Sequence, residues 1–213
     1  MPESLPVAVA IALSPFPVIP AILLLFTASP RAAGGAFLGG WAAGVAAATT
    51  VAVLLADVVS LAGTTPRWVS WTRVVLGVLL VLYGLRQWMA RGSKDLPGWM
   101  LALKEATPRR AYSLGLLLSV ANPKIVLLAV AGGMTIGAEE VGARAEIAAI
   151  VLFTAVASVT VAAPLVAYVI GGQRVLGPLR RVNDWLERHH DAVLAVVLVV
   201  IGILLLVKGV QDL

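Results

Sequence analysis

Two short stretches place polar side chains beside prolines inside long apolar runs: Ser14-Pro15-Phe16-Pro17-Val18-Ile19-Pro20 and Asn122-Pro123-Lys124. A proline removes a backbone donor and clashes with the carbonyl one turn back, so each stretch is expected to break or unwind a helix. Carbonyls freed in an apolar medium are tolerated only when buried in protein or lining a polar cavity. Lys124 is the sharpest of these residues. An ammonium far from water is costly and usually faces an interior cavity. There it can bind an anionic group, act as a proton-linked switch, or pair with a carboxylate. Thr49, Thr50, Ser119, Ser158 and Thr160 add hydroxyls within other apolar runs or close to these breaks. Asp57 also lies within an apolar run, and either pairs with Arg73 or lies on a cation or proton path. No nucleophile–base set, phosphate loop or HExxH-type pattern is present, so catalysis is not expected. His189-His190-Asp191 offer too few ligands for a metal site.

The composition says what must hold these residues. Of 213 residues, 60% are apolar and 13% charged, and the mean hydropathy is +0.98. A soluble domain is about 45–50% apolar and about 25% charged. The balance excludes a soluble enzyme, a coiled coil and a disordered regulator, and indicates an all-α, multi-spanning membrane protein. With no cysteine there is no disulfide framework, thiolate zinc site or thiol redox chemistry. Neither a cofactor nor a nucleic-acid partner is expected.

A helix rises about 1.5 Å per residue, so about 20 apolar residues cross the roughly 30 Å hydrocarbon core. Six stretches qualify, at about 5–26, 34–61, 71–88, 112–136, 147–170 and 192–207. The first has no Lys or Arg before it and is interrupted by prolines, which favours a span over a cleavable signal peptide. Lys124 lies about twelve residues from either end of its span, roughly 18 Å, too far to snorkel to the surface. Ser14 and Asn122 fall near mid-membrane, and the other hydroxyls fall near that depth.

Lys and Arg set the orientation. Eleven fall in the loops between spans one and two, three and four, and five and six, against four on the other side. Both termini should therefore face outward, with the loop 138–146 and its Glu139, Glu140 and Glu146 outside. The basic loops either only fix topology or also hold anionic lipid head groups. Within 174–189, Leu176, Leu179, Val182 and Leu186 recur at helical spacing with Arg180, Arg181 and Arg188 between them, which suits a helix lying in the interface. Leu96, Trp99, Met100 and Leu103 form a shorter second candidate.

Span three contains LGVLLVLYGL at 76–85 and span six IGILLLVKGV at 201–210, with both glycines and the central leucines in step. Span one has Leu13-Ser14-Pro15 where span four has Ala121-Asn122-Pro123, and Thr49-Thr50 matches Ser158-Val159-Thr160. Chance likeness between apolar helices is the alternative. If the repeat is real, three spans per copy force the second copy into the opposite sense, giving two inverted three-helix repeats with broken first and fourth helices. The copies would be 1–90 and 112–213, joined by a basic cytoplasmic loop at 91–111. A substrate site would then form between them from Ser14, Pro15, Pro17, Thr49, Thr50, Ser119, Asn122, Pro123, Lys124, Ser158 and Thr160, with Asp57 as the coupling residue.

Pro15–Pro20, the segment Phe37-Leu38-Gly39-Gly40-Trp41-Ala42-Ala43-Gly44 and Asn122-Pro123-Lys124 resemble the GAP family. These are the small Sap-like proteins named for addressing sulfolipids and glycopeptidolipids to the mycobacterial surface, within the lysine-exporter (LysE) superfamily. The resemblance covers essentially the whole chain. It implies export across the cytoplasmic membrane, of envelope lipids or glycolipids in this branch and of amino acids in its cousins. The Ala, Gly, Val and Arg usage fits a GC-rich genome such as an actinobacterium. The leading expectation is a secondary exporter or flippase for an anionic, lipid-linked substrate. Its alternatives are a proton-coupled exporter of small solutes and a non-transporting subunit that assists a larger lipid exporter. Membrane lipids are expected partners, and a homodimer is compatible with so small a bundle.

Overall fold

The computed structural model describes residues 4–60, 75, 78, 81, 82, 85, 86, 89, 103, 106–139, 142–186, 199, 202, 203, 206 and 207. Spans three and six expected from the sequence lie mostly outside the described residues, as do Arg73, the loop 91–102 and His189-His190-Asp191. The described backbone is helical apart from short turns.

The first apolar run is broken as its prolines require. Helix α1 covers Leu5–Ala12 and α2 covers Val18–Leu23, followed by a tight 3-10 turn at Leu24–Phe26. The gap between them holds Ser14, Pro15 and Pro17. Pro20 is the third residue of α2, where a backbone N–H has no intrahelical partner, so it costs no bond there. At 8 and 6 residues, neither helix crosses a membrane by itself.

Helix α3 covers Pro30–Ser60, 31 residues and about 46 Å long. Helix α4 covers Pro108–Val120 and α5 covers Pro123–Gly137, and the two meet at an angle of 68°. Helix α6 covers Ala143–Gly171. Each of α3, α4 and α5 begins on a proline, where a missing N–H breaks no helical bond. Gly172 has φ +60°, a left-handed conformation that suits glycine; a 3-10 turn at Gly172–Val175 follows, and then helix α7 at 176–186. Two helical stretches, Pro30–Ala56 and Ala143–Leu186, are long and apolar enough to cross a membrane, and the bent α4–α5 pair makes a third if it is one broken span. These coincide with sequence spans two, five and four.

Helix α3 is the centre of the described bundle. Ala33, Phe37, Trp41, Val45, Thr49 and Val53 recur every four residues and are buried. That stripe packs on α4 through Ala111, Gly115 and Ser119, and on α5 beyond the elbow. Phe37 meets Gly115 and Gly44 meets Ser119, so α3 and α4 run parallel. This is the direction the six-span plan requires of spans two and four. The approach is backbone to backbone: a Cβ added at Gly115 would collide with the Phe37 carbonyl oxygen.

Helix α1 packs against both α5 and α6, and α2 packs against α6. One bond ties the first break to α6: the Thr160 hydroxyl donates to the Ala12 carbonyl at 2.5 Å. Ala12 ends α1, so its carbonyl lacks a helical donor. Thr160→Val keeps the shape and removes the donor, and is expected to cost about 1 kcal/mol or slightly more. Thermal unfolding of purified protein checks this against Thr135→Val, because Thr135 donates only to Ala131 of its own helix at 2.9 Å.

The charges are segregated. Helix α6 returns antiparallel to α3, with Leu165 against Gly34. Arg31, Arg109, Arg110, Arg174, Arg180 and Arg181 therefore share one end of the described bundle, and Arg144 lies at the other. The Arg180 guanidinium stacks 5.0 Å over the Phe26 ring, fixing α7 to the turn that ends the first broken run. Along α7, Leu176, Leu179 and Leu186 are half-buried whereas Val182 is exposed.

Candidate functional site

The α4–α5 elbow is built by its own sequence. Asn122 leaves the helical conformation, and its side-chain oxygen accepts from the Lys124 N–H at 3.1 Å, capping α5. Pro123 then starts the new helix. Asn122→Ala is expected to lower stability by about 1 kcal/mol, read as a shift in the unfolding midpoint.

Lys124 follows in the first turn of α5. Its Nζ is buried and has no hydrogen-bond partner among the described residues. The helix dipole adds partial positive charge at the same place, which disfavours a cation and favours an anion. A buried ammonium beside a helix N-terminus is thus a positive focus with no hydrogen-bonded acceptor among the described residues.

The hydroxyls divide into two groups. Thr49 donates to the Val45 carbonyl at 2.9 Å and Ser119 to the Leu116 carbonyl at 2.8 Å, each within its own helix. Ser14, at the first break and 1% exposed, has no partner for its Oγ among the described residues, nor does Ser158 on α6. Thr154, one turn from Ser158 on α6, is unpartnered among them as well. So is the buried Trp41 indole nitrogen. A buried polar atom left unpaired costs about 1–3 kcal/mol, so these groups are set up for a polar guest or water.

These groups come from elements that touch. Helices α1, α5 and α6 pack on one another in all three pairings. Gly132 of α5 abuts the Phe153 ring of α6. Eight residues back along α5 is Lys124, and eight residues on along the returning α6 is Val161, so Lys124 and the Ser158–Thr160 segment lie at similar depth. The Thr160–Ala12 bond brings the end of α1, and Ser14 two residues later, to the same level.

The structure thus places Ser14, Lys124, Ser158 and Thr160 at similar depth on elements that pack on one another, with Thr160 tied directly to the end of α1. Asn122 and Pro123 shape the elbow, with Pro123 itself exposed, while Pro15 and Pro17 are buried in the first break. Thr49 and Ser119 lie on the α3–α4/α5 seam with their protons already donated. Thr50 is half-buried. The side chain of Asp57 lies outside the described residues. Among the described residues, Thr154 is a polar residue of these helices that the sequence pattern did not single out. Its signal was the spacing of four to Ser158, which puts both hydroxyls on one stripe of α6.

Long apolar helices, two proline breaks and polar groups held in the interior define a class, a helical membrane protein with an internal polar site. The match is specific as well as general. The chain belongs to the family described as Sap, sulfolipid-1-addressing protein, whose pattern matches residues 5–211 and so includes both breaks. No curated protein and no solved structure matches the chain.

Proposed function

We propose that this protein exports an anionic lipid or lipid-linked envelope molecule across a bacterial cytoplasmic membrane, by alternating access between two inverted three-helix halves. The observation that carries the reading is Lys124, a buried ammonium at a helix N-terminus with no hydrogen-bond partner among the described residues. A sulfo or phospho head group would supply the anionic acceptor for Lys124 that no described residue provides through a hydrogen bond. The family description points to a sulfolipid, whose head group has that chemistry. Ser14, Ser158 and Thr154 offer further hydrogen bonds to the sugar or linker. The arginine-bearing end faces the cytoplasm by the positive-inside rule, which puts both termini outside. Asp57 is the residue proposed to couple transport to an ion. The broken helices and the proposed repeat also fit kinship with lysine exporters.

The test compares lipids that co-purify with wild type and with Lys124→Ala at matched folding and expression. Enrichment of one anionic envelope lipid by wild type, lost in the variant, is the expected result. Identical bulk lipids in both samples would overturn the reading and favour an exporter of small soluble solutes.

A further inference from the structure

Helix α4 has two faces. Ala111, Gly115 and Ser119 are buried against α3. On another face, Arg110, Ser113, Leu114 and Leu117 follow at intervals of three, one and three residues, which is one stripe of a helix. With Thr107 and Arg109 at its foot, this stripe lines a groove of about 470 Å³. Both arginines and Ser113 are exposed, and Leu117 is 56% exposed. Leu114 is partly buried against the core, and Thr107 caps α4 by accepting from the Arg110 N–H.

The groove has the polarity of a lipid. Cationic groups stand at the arginine-bearing end of the bundle, reinforced by the N-terminus of α4. Leu114 and Leu117 lie further along the helix, with Leu117 about 10 Å from Arg110. Beyond Leu117 the exposed surface continues through Val120, Ala121 and Pro123 to the elbow. The path therefore runs from a basic foot, up an apolar wall, to the break that holds Lys124.

We propose that this face of α4 is the loading site of the protein, where an anionic lipid docks its head group on Arg109 and Arg110 and lays its acyl chain over Leu114 and Leu117. The proposal rests on the export reading above and adds the side from which cargo reaches the elbow. The head group moves along α4 to Lys124 while the tail stays in the bilayer. A second groove at the same end, lined by Ser29, Pro30, Arg31, Ala32, Tyr168, Gly172 and Gln173, contains a cation but no large aliphatic wall. It serves as the internal control.

The test uses the full chain in nanodiscs of phosphatidylcholine with a minor fraction of a sulfated glycolipid. A photoreactive residue replaces Leu117, or Leu152 on the exposed face of α6. Labelling of the sulfated lipid at 117 should exceed its share of the bilayer, whereas labelling at 152 should match it. Arg109→Gln with Arg110→Gln should reduce labelling at 117 on the order of tenfold, and Arg31→Gln should leave it unchanged. Equal labelling at 117 and 152, or an equal loss with Arg31→Gln, overturns the loading site. Lys124→Ala should retain labelling at 117, because that residue acts later on the path; loss of labelling there overturns the order of steps. The two readings fail separately. Export that survives Lys124→Ala sinks the export mechanism and leaves the groove result standing, whereas unselective labelling at 117 sinks only the loading site.

Discussion

Lys124→Met is expected to abolish export and lipid enrichment while raising the thermal stability of the protein. The two effects have one cause. The Lys124 ammonium is buried without a hydrogen-bond partner among the described residues, and it sits at the positive end of α5. Both features work against the folded state in the absence of an anion. Methionine has nearly the same length, fills the same space and carries no charge. Replacing a buried ion pair with well-packed apolar groups is neutral or stabilising by about 1–4 kcal/mol, and a lone buried charge is costlier still, so a gain of that order is expected. Unfolding midpoints of the two purified proteins in one detergent, without added lipid, measure this term. A functional residue held at the expense of stability behaves in this way. A drop in midpoint would show that Lys124 has a structural partner, and the anion site would lose its foundation. Adding the anionic lipid should raise the midpoint of wild type and leave that of the methionine variant in place.

Gly115→Leu is expected to prevent assembly of the bundle. The atoms that a side chain would strike belong to the α3 backbone: a Cβ at this position would run into the Phe37 carbonyl oxygen and lie 2.8 Å from the Trp41 nitrogen. A rotamer change cannot clear a backbone, so the helices must separate along their whole contact. Overpacking in a tight core costs about 1–3 kcal/mol and sometimes more, and a backbone clash belongs at or above the top of that range. The contrast is Gly35→Ala. Gly35 is exposed on α3, and a Cβ there meets nothing within 4 Å. Alanine in a helix interior is favoured over glycine by roughly 0.5–1 kcal/mol, so this variant should be neutral or slightly stabilised. Size-exclusion profiles in detergent should show a single sharp peak for Gly35→Ala and aggregate for Gly115→Leu. A normal peak for Gly115→Leu would refute the close parallel packing of α3 and α4.

Much of the described fold could be read from the prolines. Pro15 and Pro17 mark the first break and Pro123 the second, because backbone chemistry makes their effect local. The spans at 34–61 and 147–170 were legible because a membrane helix is long and uniformly apolar, whereas 112–136 is matched by the bent α4–α5 pair if the two helices form one span. The fate of each hydroxyl was not legible. Thr49 and Thr154 are both threonines in apolar helices, yet one donates to its own Val45 carbonyl and the other is left without a partner among the described residues. Which occurs depends on rotamer and on the neighbouring helix, and neither is encoded in local spacing. Asn122 shows the same limit from the other side. Its type and position suggested a ligand, and its side-chain oxygen is in fact held by the Lys124 N–H as a cap. Lys124 stood out because its charge makes any buried position costly whatever the neighbours.

The partners in the α3–α4 seam are made at different times. Phe37 and Gly115 are 78 positions apart in the chain. At about 5–20 residues per second, a ribosome needs roughly 4–16 s to reach the second after the first. Throughout that interval α3 has its glycine-lined face without the helix shaped to fill it. Lipid tails or the insertion machinery must cover the face until α4 arrives. Biogenesis should therefore be sensitive to how fast this stretch is translated, and a nascent chain stalled before residue 108 should be a ready target for membrane quality-control proteases.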